Sequence, residues 1–478
     1  MSNHKTKLPT PLLSIIPVIV LVITLFFTIR VFGSDALGGG SQIVLLFSSA
    51  VCCTIALVYS KIKWSVIENS IMDNVRGVAP ALFILLIIGA LSGSWMVSGI
   101  VPSFIYYGIK IIHPKFFLVT ACIICSLVSV ITGSSWTTIA TIGVALLGIG
   151  QAQGFSAGWI AGAIISGAYF GDKISPLSDT TVLASSVTGT PLFKHIRYLM
   201  GTTVPSKIIT LIIFMIAGLN YNVTTDLQID VYTLALKETF NITPWLFLVP
   251  IITGIMIAKR VPTLITLFIS AIMAALFALI FQPDVILEIA GNASGVISAK
   301  FKGFLITLFG TTAIDAGSPE INELLSTNGM AGMLNTVWLI LCAVCFGGTM
   351  MGSGMLKSLT SIFIRFMKRR VGVVASTVVS GLFFNITTAD QYISIIITGK
   401  MFNDPYQEKG YESRLLGRTI EDAVTVTSPL IPWNTCGMTQ ATILGVSTFV
   451  YFPFCFFNLI SPLMSIIVAV GGWGIKRK

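Results

Sequence analysis

The chain has 478 residues, of which 54% are hydrophobic and only 10% charged. Soluble domains carry about 25% charged residues, which excludes a globule coated by water, and apolar runs near the ~20 residues that cross a bilayer as a helix recur along the chain. The net charge of +10 points to Lys and Arg gathered in the cytoplasmic loops of a membrane protein rather than to nucleic acid.

In chain order, apolar segments fall at 11–32, 41–60, 77–99, 116–131, 137–150, 155–171, 205–219, 244–258, 263–282, 303–314, 334–350, 371–386, 393–402, 420–432 and 439–470. They are continuously apolar, without the ten-residue alternation of an outer-membrane barrel, so an all-α polytopic membrane protein is expected. The basic start "MSNHKTK" precedes a segment, Pro11 to Phe32, with no small-residue cleavage site; it reads as a retained span, not a signal peptide. Trp64, Ile67, Ile71 and Val75 recur at helical spacing among charges between Lys61 and Arg76, which suggests a helix lying in the membrane interface. The stretch from Gly189 to Gly201 suggests another. Eight cysteines lie in or beside apolar segments, and Cys122/Cys125 and Cys342/Cys345 form C-x-x-C pairs. Neither pair has the further ligands of a zinc site, so both read as helix-packing residues. The three histidines, His4, His113 and His195, do not fall in mid-span, and no histidine-based site is expected.

Several segments are too short to span alone. Short or interrupted segments at matching places of two halves mark discontinuous helices and a binding site. A repeat appears at an offset of 255, where "GSWMVSGIVPS" from Gly93 aligns with "GTMMGSGMLKS" from Gly348, and "SPL" at Ser175 returns at Ser428, at the nearly equal offset of 253. Charge supports an inverted relation. Lys61, Lys63 and Arg76 follow the second span, whereas the matching loop from Asp315 to Asn328 has Glu320 and Glu323 but no Lys or Arg. Arg365, Lys368, Arg369 and Arg370 outweigh Lys110 and Lys115 at the other matching place. The expected organisation is a first transmembrane repeat over 1–219, a linker with one span over 220–262 and a second repeat over 263–478, with roughly 11 to 13 spans, two re-entrant hairpins and two broken helices. One conflict remains. The acidic linker Asn220 to Asn241, the pair Lys259-Arg260 and the terminal "KRK" do not fit one topology together.

Four polar clusters interrupt the apolar segments, two per half. They are "TGSSWTT" with Ser134, Ser135 and Thr137; "GDKISPLSDTT" with Asp172, Ser175, Ser178, Asp179 and Thr180; "NITTADQY" with Thr387, Thr388 and Asp390; and "EDAVTVTSPLIPWNT" with Asp422, Ser428 and Asn434. Pro176 and Pro429 each remove a donor and break a helix. Backbone freed at membrane depth survives only inside protein or beside a wet cavity, and its carbonyls, with nearby hydroxyls, are ligands for a small hard cation. A carboxylate at mid-bilayer costs about 2.5–3.5 kcal/mol, a cost that a bound proton or a bound Na⁺ removes. A site that takes either, but not both, is an exchanger in outline. Structural alternatives stand beside this. Lys173 could pair with Asp172, Glu421 could sit at a span end facing water, the "TGSSWTT" hydroxyls could pack helices, and Asp179 and Asp390 could be caps.

The stretch "SGAYFGDKISPLSDTT", at Phe170-Gly171-Asp172, Ser175-Pro176 and Ser178-Asp179-Thr180-Thr181, resembles the motif of NhaC-type sodium/proton antiporters, and "TGSSWTT" and "TSPLIPWNT" are similar to further family features. The resemblance runs along nearly the whole chain. It implies a secondary antiporter of the bacterial inner membrane that exchanges Na⁺ for H⁺ without a cofactor, and a homodimer, as in many members of the wider ion-transporter superfamily. It also implies hairpins at 132–150 and 387–402 and broken helices at 172–181 and 422–435. One branch of the family exchanges malate for lactate, so small carboxylates remain alternative substrates. On this reading Na⁺ or H⁺ binds at Asp172 and Asp179, helped by Ser134 and the other hydroxyls above, with Asp390 and Asn434 contributing from the second half. A channel would use symmetric filter rings. No H-E-x-x-H or G-x-x-x-x-G-K-[ST] motif supports an enzyme or an ATP-driven pump.

Overall fold

The computed structural model describes residues 8–32, 36, 38–221, 226–291 and 295–475. Among them no strand is formed beyond bridging pairs such as Thr312 with Thr327, and the chain is helical throughout. The helices are α1 (Pro11–Phe32), α2 (Gly40–Val58), α3 (Trp64–Val97), α4 (Ile100–Ile111), α5 (Phe117–Thr132), α6 (Ser135–Ala152), α7 (Ala157–Ile174), α8 (Asp179–Val187), α9 (Leu192–Asn220), α10 (Asp226–Thr239), α11 (Leu248–Ala258), α12 (Thr263–Phe281), α13 (Pro283–Ala290), α14 (Val296–Phe309), α15 (Pro319–Leu325), α16 (Gly329–Gly352), α17 (Met355–Arg365), α18 (Arg370–Thr388), α19 (Gln391–Glu408), α20 (Ser413–Ile420), α21 (Thr435–Leu444), α22 (Thr448–Phe454) and α23 (Phe456–Gly471). Nine helices among the described residues are long and apolar enough to span a bilayer, or eleven when each of two bent pairs counts as one span. That reaches only the lower end of the expected number.

The two expected interface helices are absent as separate elements. Residues 64–76 are the first turns of the 34-residue α3, and 192–201 open the 29-residue α9. No helix breaker ends either amphipathic stretch before the apolar run begins. Pro80 and Pro205 lie inside these helices without ending them, as transmembrane helices tolerate.

Two helix pairs fold back on themselves at tight corners. α5 and α6 meet at Gly133, whose φ is +67°, and α18 and α19 meet at Ala389, whose φ is +57°. The helix pairs at these corners cover 117–152 and 370–408, each with an apolar helix before the polar tip. Ser134 caps α6 by accepting from Thr137 N, and Asp390 caps α19 by accepting from Ile393 N. Both helix breaks form where proline predicted them. α7 stops at Ile174 and α8 restarts at Asp179, capped by Ser178. Beyond α20 a π-helical turn at Glu421–Thr425 and a 3-10 turn at Ser428–Leu430 lead to α21, capped by Asn434. Asn434 thus holds the place of Ser178, and Thr435 that of Asp179.

Side-chain contacts sort the bundle into two ends. At one end Tyr198 donates to Gly474 O, Arg370 donates to Ala469 O, and Arg414 stacks on Tyr198. At the other, Gln153 donates to Ile112 O, Gln282 to Ser98 O, and Tyr221 to Gly154 O. Following the helices from end to end puts Lys259-Arg260 at the first end and the described part of the acidic linker at the second. The pair and the linker therefore fit one topology. The final "KRK" lies outside the described residues, but α23 runs toward the first end.

Candidate functional site

The α5–α6 hairpin lies along α7 at very close range. A Cβ on Gly167 would come 2.4 Å from Cys122 O, and one on Gly171 would come 2.5 Å from Ser126 O. This contact brings the hairpin tip to the break after α7. Gly133 itself sits against Leu177, where an added Cβ would meet the Leu177 backbone at 2.6 Å. Ser175 ties the two elements by donating to Val130 O at 2.8 Å, and it also accepts from Leu177 N.

Asp172, in the last turn of α7, sits at this junction and is 6% exposed. Its Oδ2 accepts from Ser135 Oγ at 2.7 Å and Ser135 N at 3.3 Å, and its Oδ1 accepts from Ser178 Oγ at 2.5 Å. Ser178 also shares a hydrogen bond with Thr180 at 2.9 Å. Thr181 donates to the Asp172 and Lys173 carbonyls that the break sets free. One carboxylate, two serines and a threonine thus converge from both elements of the first half. Asp172, Ser135 and Thr180 face a cavity of about 410 Å³ lined also by Gly133, Ser134 and Asp179 together with residues of α3 and α19. Asp179 is exposed at the first position of α8. Among the described residues, no Lys, Arg or His lines this cavity.

The second-half candidates lie apart from that carboxylate. Asp390, buried, accepts from Ile393 N at 2.9 Å and from Thr435 Oγ1 at 3.1 Å. Asn434 accepts from Cys436 N and donates to Asn385 O. Thr387 and Ser428 donate to carbonyls of their own turns, Thr388 bonds to Asp390 O and Ser394, and Thr137 bonds to Ser134. Of the second-half polar cluster, Gln391 and Tyr392 reach the cavity lining.

Lys173 does not pair with Asp172. It points to the other side of α7, where it is fully buried and donates to Asp422 and to Ser461 Oγ at 2.9 Å. Asp422 Oδ1 also accepts from Thr202 Oγ1 and Ser461 Oγ, each at 3.0 Å. Arg418, also buried, approaches Asp422 Oδ2 at 3.9 Å and lies over the Tyr198 ring. Asp422, expected among the cation-binding groups, is thus the counter-ion of a lysine. Glu421 is fully buried rather than facing water, because the π turn carries it into the bundle. His195 is buried as well, in the first turn of α9. Sequence reasoning missed the roles of Arg418, Thr202 and Ser461. The available signal was one lysine in an apolar stretch of the first half facing one aspartate in the matching stretch of the second.

A family profile described as the Na⁺/H⁺ antiporter family matches residues 167–473. The chain is 36% identical over 432 residues to the Na(+)/H(+) antiporter NhaC of Alkalihalophilus pseudofirmus, covering 90% of each chain. It is 34% identical over 426 residues to the NhaC antiporter of Bacillus subtilis, covering 88% of this chain and 91% of that one. It is also 35% identical over 409 residues to the Malate-2H(+)/Na(+)-lactate antiporter of Bacillus subtilis, covering 85% and 84%.

Proposed function

Because the chain belongs to the Na⁺/H⁺ antiporter family, we propose that Asp172 is the carboxylate at which this multi-pass bacterial membrane protein exchanges Na⁺ for H⁺ by alternating access. The observation that carries the assignment is the junction itself. A buried carboxylate is bonded at once to a hairpin tip and to a helix break, and it faces a cavity lined by acidic and hydroxyl groups. Na⁺ would draw oxygens from Asp172, Ser135 and Ser178. A proton on Asp172 would replace it, since one carboxylate cannot hold both. Asp179 would receive the cation at the cavity mouth. Asp390 and Ser134, as caps of matching hairpins, would shape the tips rather than coordinate Na⁺ in this conformation. No cofactor is needed.

The matching caps and corners support an inverted repeat, with 1–219 and 263–478 as its halves and 220–262 as the linker. The corners at Gly99 and Gly354, whose φ values are +82° and +70°, recur at the same offset. The end that carries Lys61, Lys63, Arg76, Lys259, Arg260 and Arg414 would face the cytoplasm. The Asp172 cavity is lined by Gly77 and Thr263 toward that same end, and on this reading it would give the ion access from the cytoplasm. The homodimer implied by the family resemblance is a further part of the proposal, checked by the mass of the protein in nanodiscs.

Acid-loaded liposomes that hold the purified protein and a pH dye test the function. Added Na⁺ should dissipate the gradient. If Asp172→Asn and Asp179→Asn both kept full exchange, the site assignment would fail. The malate/lactate relative motivates a second reading, exchange of small carboxylates. The cavity lining, with two aspartates and no cation, favours the plain cation exchanger, because an organic anion needs positive charge or helix amide ends beside it. Malate or lactate that accelerates Na⁺ flux in the same liposomes would reverse that preference.

A further inference from the structure

We propose that the ion path runs on from Asp172 through a thin polar wall into a second cavity at the opposite end of the bundle, and that Gln440 passes the cation across. The inference deepens the antiport reading and rests on it.

The second cavity, of about 630 Å³, is lined among others by Ser92, Met96, Gln151, Thr327, Asn328 and Thr442. Three helices line both cavities: α3, α6 and α7, the last with Asp172 at the first and Ala157 at the second. On α3, Ile84 lines the first and Gly89 the second. Five residues at 1.5 Å per residue leave about 7.5 Å between them. On α6, Trp136 lines the first and Val144 the second, and the π-helical turn Ile139–Gly143 lies between. A π turn is a common feature of functional helices and an easy place to change register.

The wall is not wholly apolar. Tyr169, one turn before Asp172 on α7, is fully buried, and its hydroxyl accepts from Gln440 Nε2 at 3.3 Å. Gln440 is fully buried on α21, and its Oε1 has no hydrogen-bond partner. A buried acceptor left unpaired is costly to fold around. A dehydrated Na⁺, which takes oxygen ligands, would satisfy it in passing. Two residues on, Thr442 already lines the second cavity.

The second cavity also has the rim expected of a cation entry. Glu323 lines it, and among the described residues no Lys or Arg does. Asp315 lies on the same loop, and the Gly317 N–H and the Asn322 amide that it accepts from hold its carboxyl below the usual range, so it stays charged at mildly acid pH. Clefts lined by one sign of charge concentrate the opposite ion.

The test uses single-cysteine additions and a membrane-impermeant cationic thiol reagent, in vesicles of both orientations, with the wild-type chain as the labelling blank. Ser92→Cys and Ser326→Cys should react from one face, and Ala81→Cys in the first cavity from the other. Reaction of the first two should cut Na⁺ flux about tenfold relative to the same untreated variant, a change of about 1.4 kcal/mol. Gln440→Leu should lower flux by a similar factor while keeping the rise in melting temperature that Na⁺ produces. Labelling of both sets from one face, no reaction at Ser92→Cys and Ser326→Cys, modification without loss of flux, or full flux in Gln440→Leu would each overturn the proposal. Wild-type protein with no Na⁺-driven proton flux would overturn the antiport reading instead, and the labelling pattern would still report on the cavities.

Discussion

Asp172 takes its donors from two elements, Ser135 at the hairpin tip and Ser178 at the helix break. A hydrogen bond to a charged group contributes about 1.5–3 kcal/mol, so Ser135→Ala and Ser178→Ala should each raise the Na⁺ concentration for half-maximal flux by about tenfold or more. Proton and Na⁺ compete for the same oxygens. That concentration should therefore rise as pH falls, approaching tenfold per unit for a single shared proton; initial rates of Na⁺ uptake at pH 6 and pH 8 check it. Lys173 behaves differently because its charge is used inside the bundle. Removing one partner of a buried ion pair costs about 3–5 kcal/mol, whereas replacing both by apolar groups is often neutral. Lys173→Met should lower the melting temperature in detergent strongly, and Lys173→Met with Asp422→Leu should restore most of it. The motif made Asp172 and Lys173 equally visible as neighbours. Their separation followed only from helical geometry, since successive residues on α7 point about 100° apart, one to the cavity and one to α23 and the π turn.

At the scale of elements, the breaks were legible because proline has no N–H and opposes helix in the residue before it. The hairpins were half legible. Their polar tips stood out, but the arm before each tip reads as an ordinary span. Gly133 is the corner that the first hairpin depends on. Its φ of +67° and its contact with Leu177 leave no room for a side chain, so Gly133→Ala should disturb the Ser135–Asp172 bond and the tip together. We expect loss of most Na⁺ flux with a smaller loss of thermal stability, read by comparing uptake with melting. Ala389 makes the same corner in the second half with a Cβ present, and its carbonyl accepts from Thr435 N at 2.8 Å, which anchors that tip to the second break.

For the whole molecule, the membrane class followed from composition alone, and the family from the motif. Topology did not. Local charge counts conflicted until the helix order assigned each loop to an end of the bundle. With the basic end in the cytoplasm, Lys259→Cys should label only from the cytoplasmic face and Asp315→Cys only from the opposite one. Because Na⁺ binds the folded protein and not the unfolded chain, saturating Na⁺ should raise the melting temperature. The stabilisation is about 2.7 kcal/mol at one hundred times the dissociation constant, and Asp172→Asn should abolish it.

By itself the sequence determined that the chain is helical and membrane-embedded, where it breaks, and which carboxylates carry unusual cost, because those properties depend on hydrophobicity, proline and charge within a few residues. Only the tertiary structure decided that Ser135 and Ser178 meet on Asp172, that Lys173 turns away to Asp422, and that Glu421 and Arg418 are buried. The Ser135–Asp172 and Lys173–Asp422 contacts join residues 37 and 249 positions apart, and no local pattern records which faces of two helices will touch.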